Sequence, residues 1–423
     1  MKKMLGFVLA LAASAAPRSA WADDESSVEV VSFPTVALVR ALEVSGTTHK
    51  DTIASLLPRP LPATMRGDEM VEFERRINNL GIYDSVSVSY DAAKGTMNVA
   101  VRRKFTLTPS IEFSSGQSLA DTYVMLGLTE YDFLGRALMA WGEASYEQRG
   151  PNFEIGFAEH VFAANSFMLG AEAYYQSAGF RFDSGDGWYR NRAGAVVRLH
   201  PPFTYGTPLR YELFLNYYRE TSTEPDITYT PGDGHAVRSA LEITWDRYTW
   251  RDLAPSGVEL TVHGITGGFF PANQPRHSLK VNFIGAIAPT ETTALMVRMR
   301  GEVFSKGNVN HSALLGSLEG VRGLDDAFFR NQVQAFVNVE ARQAWRFARR
   351  WAVQGVLFTD AAVFRPFDAH AETMTAQSAW SAGGGLRLIP TSLTQLLLRF
   401  DAGTMIHPDR HFFVQFGFKQ YFE

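Results

Sequence analysis

The stretch that decides the fold is RHFFVQFGFKQYF, residues 410–422, because its side chains alternate in character with a period of two. One face is apolar except for Gln420 and carries Phe412, Val414, Phe416, Phe418 and Phe422. The opposite face is more polar and carries Phe413, Gln415, Gly417 and Lys419. This alternation predicts a β-strand with one face toward lipid and the other toward a polar lumen.

A second strand, predicted over residues 332–346, repeats the pattern and places charges on its inner face. Its outward residues are Val333, Ala335, Val337, Val339 and Ala341. Its inward residues include Asn338, Glu340 and Arg342. Charges on such a strand are typical of a barrel whose interior holds water or a plug.

Beyond these two strands, the same alternation of apolar and polar side chains recurs from Phe105 to the end of the chain. About 16 strands can be placed, an even number, as in single-chain outer-membrane barrels. The even-numbered connections look short, at residues 163–166, 289–291, 348–350 and 390–393. Several odd-numbered connections are long, at residues 178–190, 220–234, 305–331 and 365–377. The sequence therefore predicts an all-β transmembrane barrel of about 16 antiparallel strands, with a soluble β-sandwich as the less favoured alternative.

Composition and the N-terminus agree with export. Residues 1–22 combine Lys2 and Lys3, an apolar segment and a small-residue cleavage site, which predicts a secretory signal peptide. The chain has no cysteine, so neither a disulfide framework nor thiol chemistry is expected. Removing Lys2, Lys3 and Arg18 from the 40 basic residues leaves 37 against 44 acidic residues, a net charge of −7. That balance argues against a nucleic-acid partner.

Residues 23–104 have a different pattern, which predicts one small α+β domain ahead of the barrel. The predicted order is a strand at residues 36–44, a helix from Thr48 to Leu57, a helix capped by Asp68, and strands at residues 86–90 and 97–101. This domain is expected on the side of the short turns, which is the periplasmic side of such a barrel.

Several motifs resemble those of one family. Residues 80–88, LGIYDSVSV, resemble the helix end, glycine, aromatic residue and strand of a POTRA domain. Four barrel segments resemble motifs of the BamA/TamA-type outer-membrane assembly superfamily, the bacterial surface antigen family: EYDFLGR at 130–136, VRG at 321–323, FTDAA at 358–362 and GGGLR at 383–387. The chain departs from the family pattern in having a single POTRA-like unit, and at Leu324, Ala362 and the terminal Glu423.

The resemblance implies a position for the long loop at residues 305–331. It implies that the loop folds back into the lumen and that Arg322, between Val321 and Gly323, pairs with Asp360. The residues give a physical reason, because a guanidinium keeps its proton and is costly to bury without a carboxylate. Asp360 shares its face with Phe358 and is expected to point inward. The alternative is that Arg322 lies in a solvated loop.

The first and last barrel strands each contain a residue that weakens a strand ladder, Pro109 and Gly417. The resemblance implies that this seam is a lateral gate, at which client strands pair with the barrel. The alternative is that Pro109 lies below the paired region. Gln415, Gly417 and Phe422 also belong to a C-terminal segment that resembles the strand signal read by the assembly machinery.

The resemblance implies an outer-membrane protein that assists the insertion and assembly of other outer-membrane proteins. The partners would be the outer-membrane lipid bilayer and unfolded outer-membrane or secreted polypeptides, with accessory periplasmic proteins left open. A polypeptide secretion transporter of the two-partner type and a passive pore or surface antigen are the alternatives. The motifs predict no enzyme, no metal site and no cofactor.

Overall fold

The structure is a computed structural model that describes residues 33–46, 50–114, 123–147, 150–159, 168–181, 187–201, 209–223, 233–249, 253–305, 313–316, 320–324, 329–348, 350–366, 375–391 and 397–418. The predicted signal peptide, residues 1–22, lies outside the described residues, as do Thr48 and Phe422.

The N-terminal part is an α+β domain of two small sheets and two helices. Its elements are β1 (Val36–Val39), β2 (Ala41–Ser45), α1 (Lys50–Ser55), β3 (Ala63–Arg66), α2 (Gly67–Asn79), β4 (Tyr83–Asp91) and β5 (Thr96–Arg103). β1 pairs with β3, and the second sheet has the order β2-β5-β4, with β2 parallel to β5. Among the described residues, no helix has the length and apolar character needed to cross a membrane.

The core of this domain forms where α2 packs on the sheets. Met70, Phe73 and Ile77 lie at spacings of three and four residues, so they share one helix face, and all three are buried. They contact buried residues of β3 and β5, including Met65 and Met97. The apolar periodicity of α2 therefore determines how the helix sits on the domain.

Three details of the N-terminal domain differ from the prediction. The strand expected at residues 36–44 is two strands in different sheets, which divide at Arg40, whose N–H donates to the Gly95 carbonyl. Strand β3 was not expected, because it is short and follows a proline-rich segment. Helix α2 begins at Gly67 rather than after Asp68, since Glu69 accepts a hydrogen bond from the Arg66 N–H at 2.9 Å.

The N-terminal domain contacts the barrel at two places. The end of β7 contributes buried Tyr131 and the connection after it buried Ala137 to the domain core, and Asp132 of β7 forms an ion pair with Arg103. On the other side of the domain, Arg75 and Asn79 of α2 donate hydrogen bonds to the Tyr248 carbonyl at 3.1 and 3.2 Å. Both contacts are at the barrel end where β7 and β13, the second and eighth strands of the barrel, connect to the next strand. This is the end of the even-numbered connections.

The remaining strands form a closed antiparallel barrel of 16 long strands, with β15 and β18 as short additions. Its strands are β6 (Leu107–Ser114), β7 (Tyr123–Phe133), β8 (Leu138–Glu147), β9 (Gly150–Glu159), β10 (Met168–Arg181), β11 (Gly187–His200), β12 (Leu209–Thr223), β13 (Gly234–Asp246), β14 (Gly257–Phe270), β15 (Gln274–Pro275), β16 (Ser278–Ile287), β17 (Thr293–Phe304), β18 (Ala313–Leu315), β19 (Phe329–Ala348), β20 (Trp351–Pro366), β21 (Gln377–Pro390), β22 (Leu398–His407) and β23 (His411–Phe418). The predicted fold class is confirmed.

The two strands that predicted the fold have the expected faces. In β23, Phe412, Val414 and Phe416 are exposed outward, whereas Phe413 and Gln415 are buried inside the barrel. In β19, the same alternation places the buried side chains of Asn338, Glu340 and Arg342 inside. A strand with a two-residue repeat therefore gives the inside and outside of the barrel directly.

Some connections differ from those read from the sequence. β10 and β11 extend to Arg181 and from Gly187, so the long connection expected at residues 178–190 is mostly strand. The even-numbered connection between β13 and β14 is long rather than a tight turn, and its Leu253 and Ala254 are buried. The Leu253 carbonyl accepts a hydrogen bond at 2.9 Å from Gln354, an inward side chain of β20. This connection therefore passes beneath the lumen.

The seam between the first and last barrel strands differs from the other strand pairs. Among the described residues, the register of β6 with β23 consists of Phe113 opposite Phe416. By contrast, β19 and β20 stay paired from Asn331 opposite Pro366 to Ala348 opposite Trp351. Within the part of the chain that the structure describes, one register position thus closes the barrel at the seam.

Candidate functional site: the lumen loop and the barrel seam

The loop between β17 and β19 enters the lumen from the end opposite the N-terminal domain. Its short strand β18 pairs with β19 through Ala313 opposite Asn331. The chain then turns tightly, because the N–H groups of Gly320 and Val321 both donate to the Gly316 carbonyl, at 2.9 and 3.2 Å. This turn presents the predicted motif of Val321, Arg322 and Gly323 to the barrel wall.

Gly323 is required where the loop meets β23. Its φ of +91° is in the left-handed region that glycine adopts without strain. A Cβ at this position would lie 2.4 Å from the Phe413 ring, so no other residue fits without movement. The Gly323 carbonyl is also 2.9 Å from Nε2 of His411, which ties the loop to the start of the last strand.

Arg322 is fully buried and lies against Asp360 of β20, the strand expected to be the thirteenth of the barrel. Its Nε donates to Oδ2 at 2.7 Å and its Nη2 to Oδ1 at 2.8 Å, which is the bidentate geometry favoured by guanidinium and carboxylate. The backbone N–H of Arg322 donates to Oδ2 of the same carboxylate at 3.1 Å. The guanidinium also lies 3.6 Å above the Phe358 ring, a cation–π contact.

The third nitrogen of the Arg322 guanidinium bonds to a second carboxylate. Nη1 donates to Oε1 of Glu340 at 2.6 Å, and Oε2 of Glu340 accepts from Nε of Arg342 at 2.7 Å. Next to them, Nη1 of Arg387 donates to Oδ1 of Asp401 at 2.6 Å. We call these buried residues the Arg322 network: Arg322, Glu340, Arg342, Asp360, Arg387 and Asp401. All three guanidinium nitrogens of Arg322 therefore have carboxylate partners.

Part of this network was missed by the sequence reasoning. Glu340 was assigned only to a charged lumen wall, Arg387 only to a glycine-rich segment, and Asp401 was not singled out. The available signal was parity, since all three occupy inward positions of their strands. Parity gives the face of a residue, but its partners across several strands follow only from the register.

The apolar side of the loop fills the space above the network. Val321 and Leu324 are buried with Leu315, Phe336, Phe364 and Met405. Leu324, one of the departures from the resembled motif, is buried in this cluster. Ala362, which replaces the last glycine of the strand motif, packs in the same cluster. Both departures thus keep the apolar contact between loop and wall.

The predicted seam residues lie near the single register position. Pro109 is exposed on β6 and is opposite Leu128 of β7, four residues before Phe113. Gly417 follows Phe416, and a Cβ there would lie 3.2 Å from Nη2 of Arg399. Gln415 is buried on the lumen side. The structure therefore places Gly417 next to the paired position and Pro109 four residues before it.

The described part of the chain contains no group of three or more His, Cys, Asp or Glu side chains arranged to hold a metal ion. The site consists of a charged anchor, a loop inside the lumen and a strand seam. Such an arrangement can hold the lumen closed and present strand edges, whereas no group in it is arranged as a nucleophile with a base.

Comparison with solved structures shows the same fold in outer-membrane barrels. CdiB from Acinetobacter baumannii matches with a TM-score of 0.61 and 13% sequence identity over 91% of this chain and 74% of its own. CdiB from Escherichia coli matches with a TM-score of 0.54 and 12% identity over 99% of this chain and 96% of its own. BamA from Haemophilus ducreyi lacking POTRA domains 1–3 matches with a TM-score of 0.54 and 14% identity over 90% and 84% of the two chains.

No protein-family model matches the sequence, and no curated protein matches it. The structural likeness at these low identities shows a common fold, which extends over most of the chain in all three cases.

Proposed function

We propose that this chain is an outer-membrane β-barrel protein that assists the insertion and assembly of other outer-membrane proteins. In this proposal the N-terminal POTRA-like domain, residues 23–104, lies in the periplasm and captures unfolded clients. The seam between β6 and β23 is the lateral gate through which client strands enter. The single observation that carries the proposal is that the described residues of this seam pair at one register position, Phe113 opposite Phe416.

The outer face supports the membrane location. Large apolar side chains are exposed all around the barrel, among them Leu126, Leu215, Leu357 and Phe412. Exposed apolar surface of this extent is stable in lipid and not in water. The N-terminal domain contacts the barrel at the end of the even-numbered connections, which is the periplasmic end in barrels of this class.

The seam supports the assembly role. Separating two strands costs the ladder hydrogen bonds between them, so a seam whose described residues pair at one register position should open at lower cost than a fully paired neighbour. Opening exposes the edges of β6 and β23, and unpaired edges bind extended segments by main-chain hydrogen bonds. The sheet order of the N-terminal domain similarly leaves β2 and β4 at its edges.

The Arg322 network also supports the assembly role. A lumen held by a buried, bidentate anchor favours sideways opening over passage of a chain along the barrel axis. A secretion transporter would have to displace the loop and leave Asp360 and Glu340 buried without their arginine, which costs about 3–5 kcal/mol.

The test combines depletion with a lock on the seam. Depletion should lower the levels and folding of other outer-membrane proteins, measured by heat-modifiability and immunoblots. Because the chain has no cysteine, Phe113→Cys with Phe416→Cys creates a unique disulfide across the seam. The matched control is Ala402→Cys with Val414→Cys, an outward pair between β22 and β23 that are fully paired.

We expect the seam disulfide to block rescue of a depleted strain and a reductant to restore it, whereas the control pair should rescue in both conditions. Unchanged levels of all other outer-membrane proteins after depletion would exclude the assembly role. Loss of one secreted polypeptide, with outer-membrane proteins unchanged, would instead indicate the transporter.

A further inference from the structure

A second arginine enters the lumen near β11–β14, on a different part of the wall from the Arg322 network. Arg276 directly follows β15, and its backbone N–H donates to the Gly267 carbonyl of β14 at 2.9 Å. β15 itself pairs with β14 through Phe269 opposite Gln274. The segment is therefore fixed on the wall, which determines where the Arg276 side chain lies.

The Arg276 side chain is fully buried but only partly bonded. Its Nη2 is 3.4 Å from Oε1 of Glu220, and its guanidinium lies 4.7 Å from the centre of the Phe269 ring. Its Nε and Nη1 have no hydrogen-bond partner among the described residues. Buried donors in folded proteins are normally satisfied, so these two nitrogens require an explanation.

Glu220 is the one carboxylate that the described contacts give to this region, and it is already bonded. Arg192 donates to its Oε2 from Nε at 3.1 Å and from Nη2 at 2.6 Å. Arg190 also acts electrostatically on Glu220. Glu220 therefore has a close partner in Arg192, and Arg276 reaches it only through the longer contact of 3.4 Å.

A fourth guanidinium and a phenol complete the group. Arg192 and Arg238 lie 4.3 and 4.8 Å from the centre of the Tyr218 ring. The buried hydroxyl of Tyr218 and the Nε of Arg238 have no hydrogen-bond partner among the described residues. Gly267 leaves room for Arg238, since a Cβ there would lie 2.9 Å from the Arg238 Cγ. We call these residues the Arg276 cluster: Arg190, Arg192, Tyr218, Glu220, Arg238, Phe269 and Arg276.

We propose that the Arg276 cluster is a binding site for a phosphate-class oxyanion inside the outer half of the lumen. Among the described residues, the guanidinium groups of Arg238 and Arg276 have between them one carboxylate contact, that of Arg276 with Glu220 at 3.4 Å, and the unsatisfied donors of Arg276, Arg238 and Tyr218 all belong to this group. A tetrahedral oxyanion supplies both the negative charge and several acceptor oxygens, and arginine forks suit it geometrically. Water could accept some of the hydrogen bonds, but it would leave the charge uncompensated.

The phosphate can come from solution or from the headgroup of an anionic lipid. The site is independent of the proposed assembly function, because none of its residues belongs to the seam or to the Arg322 network. Its ligand can therefore be tested on the purified full-length protein without any client.

The experiment measures thermal unfolding of the full-length protein in a zwitterionic detergent, with inorganic phosphate titrated against chloride at equal ionic strength. We expect a saturable rise in Tm with phosphate. The double variant Arg238→Gln, Arg276→Gln should weaken the apparent affinity about tenfold or more, as expected for the loss of charge-assisted hydrogen bonds. Arg219→Gln is the matched control, because Arg219 is on the same strand as Glu220 and is exposed outside the barrel.

A second variant separates charge from geometry. Arg276→Lys keeps the charge but loses the fork, so it should bind phosphate more weakly than the wild type and more tightly than the double variant. Heat-modifiability of each variant verifies that the barrel is folded.

A repeat with micelles of phosphatidic acid and of phosphatidylcholine identifies the source of the phosphate. A rise in Tm with phosphatidic acid alone indicates a lipid headgroup. No saturable response to either phosphate form, or an equal response in the double variant, overturns the proposal.

Discussion

Arg322 and Arg276 are the same residue type in similar positions, yet their surroundings differ. Both come from connections at the outer end of the barrel, both are fully buried, and both lie over a phenylalanine ring. Arg322 donates from all three guanidinium nitrogens to Asp360 and Glu340. Arg276 has one contact of 3.4 Å to Glu220, which Arg192 already binds.

The two arginines differ most in the charges of the residues that surround them. Around Arg322 are the guanidinium groups of Arg322, Arg342, Arg387 and Arg399 and the carboxylates of Glu340, Asp360 and Asp401, which sum to +1. Near Arg276, by contrast, the described residues give the two guanidinium groups of Arg238 and Arg276 one carboxylate contact, the 3.4 Å contact of Arg276 with Glu220. A buried arginine with a nearly complete counter-charge stabilises a fixed arrangement, whereas one without it is poised to bind an anion. The two regions should therefore respond oppositely to the same substitution.

The largest effect is expected from Arg322→Gln. Glutamine cannot supply the positive charge, so Asp360 and Glu340 would keep buried negative charge without their main partner, a loss of about 3–5 kcal/mol. The measurement is the free energy of unfolding in urea after reconstitution into vesicles. Arg365→Gln is the control, since Arg365 is on the strand of Asp360 and is exposed. Equal losses in the two variants would contradict the anchor role of Arg322.

A smaller but more specific effect is expected from charge reversal. Arg322→Asp should be as harmful as Arg322→Gln or worse, because it adds a carboxylate beside Asp360 and Glu340. Adding Asp360→Arg should restore part of the loss, since the swapped pair recreates one ion pair but not the backbone bond from residue 322. The same urea unfolding measures the coupling. Identical stabilities of the single and double variants would show that the two residues do not interact.

Arg276→Gln should change stability little in buffer without phosphate. Glu220 keeps its two bonds from Arg192, so the substitution leaves no carboxylate unpaired and removes an excess positive charge. We expect a change within about 1 kcal/mol, in either direction. A loss as large as that of Arg322→Gln would make Arg276 a second structural anchor and remove the difference between the two regions.

The sequence predicted Arg322 better than Arg276 for a physical reason. The resemblance to the family and the inward parity of Asp360 were enough to suggest one pair. Arg276 lies two residues before β16, and nothing in the local sequence marks it as buried. Its position depends on β15 folding onto β14, a contact of the tertiary structure.

The fold likewise has features that local sequence patterns predict and features that depend on tertiary contacts. A period of two predicts strands and their faces, because successive side chains point to opposite sides. It does not predict which residues of two end strands meet: Pro109 and Gly417 suggested a short-paired seam, but not the register that places Phe113 opposite Phe416 among the described residues. The buried Leu253 was also missed, since its connection carries no strand or helix pattern and is positioned by Gln354 across the barrel.

The N-terminal domain contacts the barrel at the end of β13, and Arg75→Gln tests the strength of this contact. Arg75 donates to the Tyr248 carbonyl at 3.1 Å and lies 3.7 Å from Asp246, at the connection between β13 and β14. Loss of these contacts should weaken docking by about 1 kcal/mol. The check is faster proteolysis at the junction of residues 103–107, with unchanged barrel heat-modifiability. Arg102→Gln, an exposed residue of β5, is the control.

The smallest expected effect is that the contact between α2 and the barrel changes with pH, because Glu72, the partner of Arg75, titrates. Burial by itself would raise the pKa of Glu72, but the hydrogen bond from Arg75 and the charges of Arg75 and Arg76 outweigh it, so its pKa is lower than normal. A lowered folded-state pKa stabilises the domain fully above the ordinary glutamate pKa of about 4.3, and this contribution is lost as pH falls through the lowered value. Amide hydrogen exchange of α2 between about pH 3 and 6 measures it, with acid expected to increase exchange after correction for intrinsic rates. Glu72→Gln should abolish the pH dependence, because it cannot titrate. An unchanged dependence in that variant would assign the effect to another group, whereas its loss would assign the weakening of the N-terminal contact in acid to Glu72.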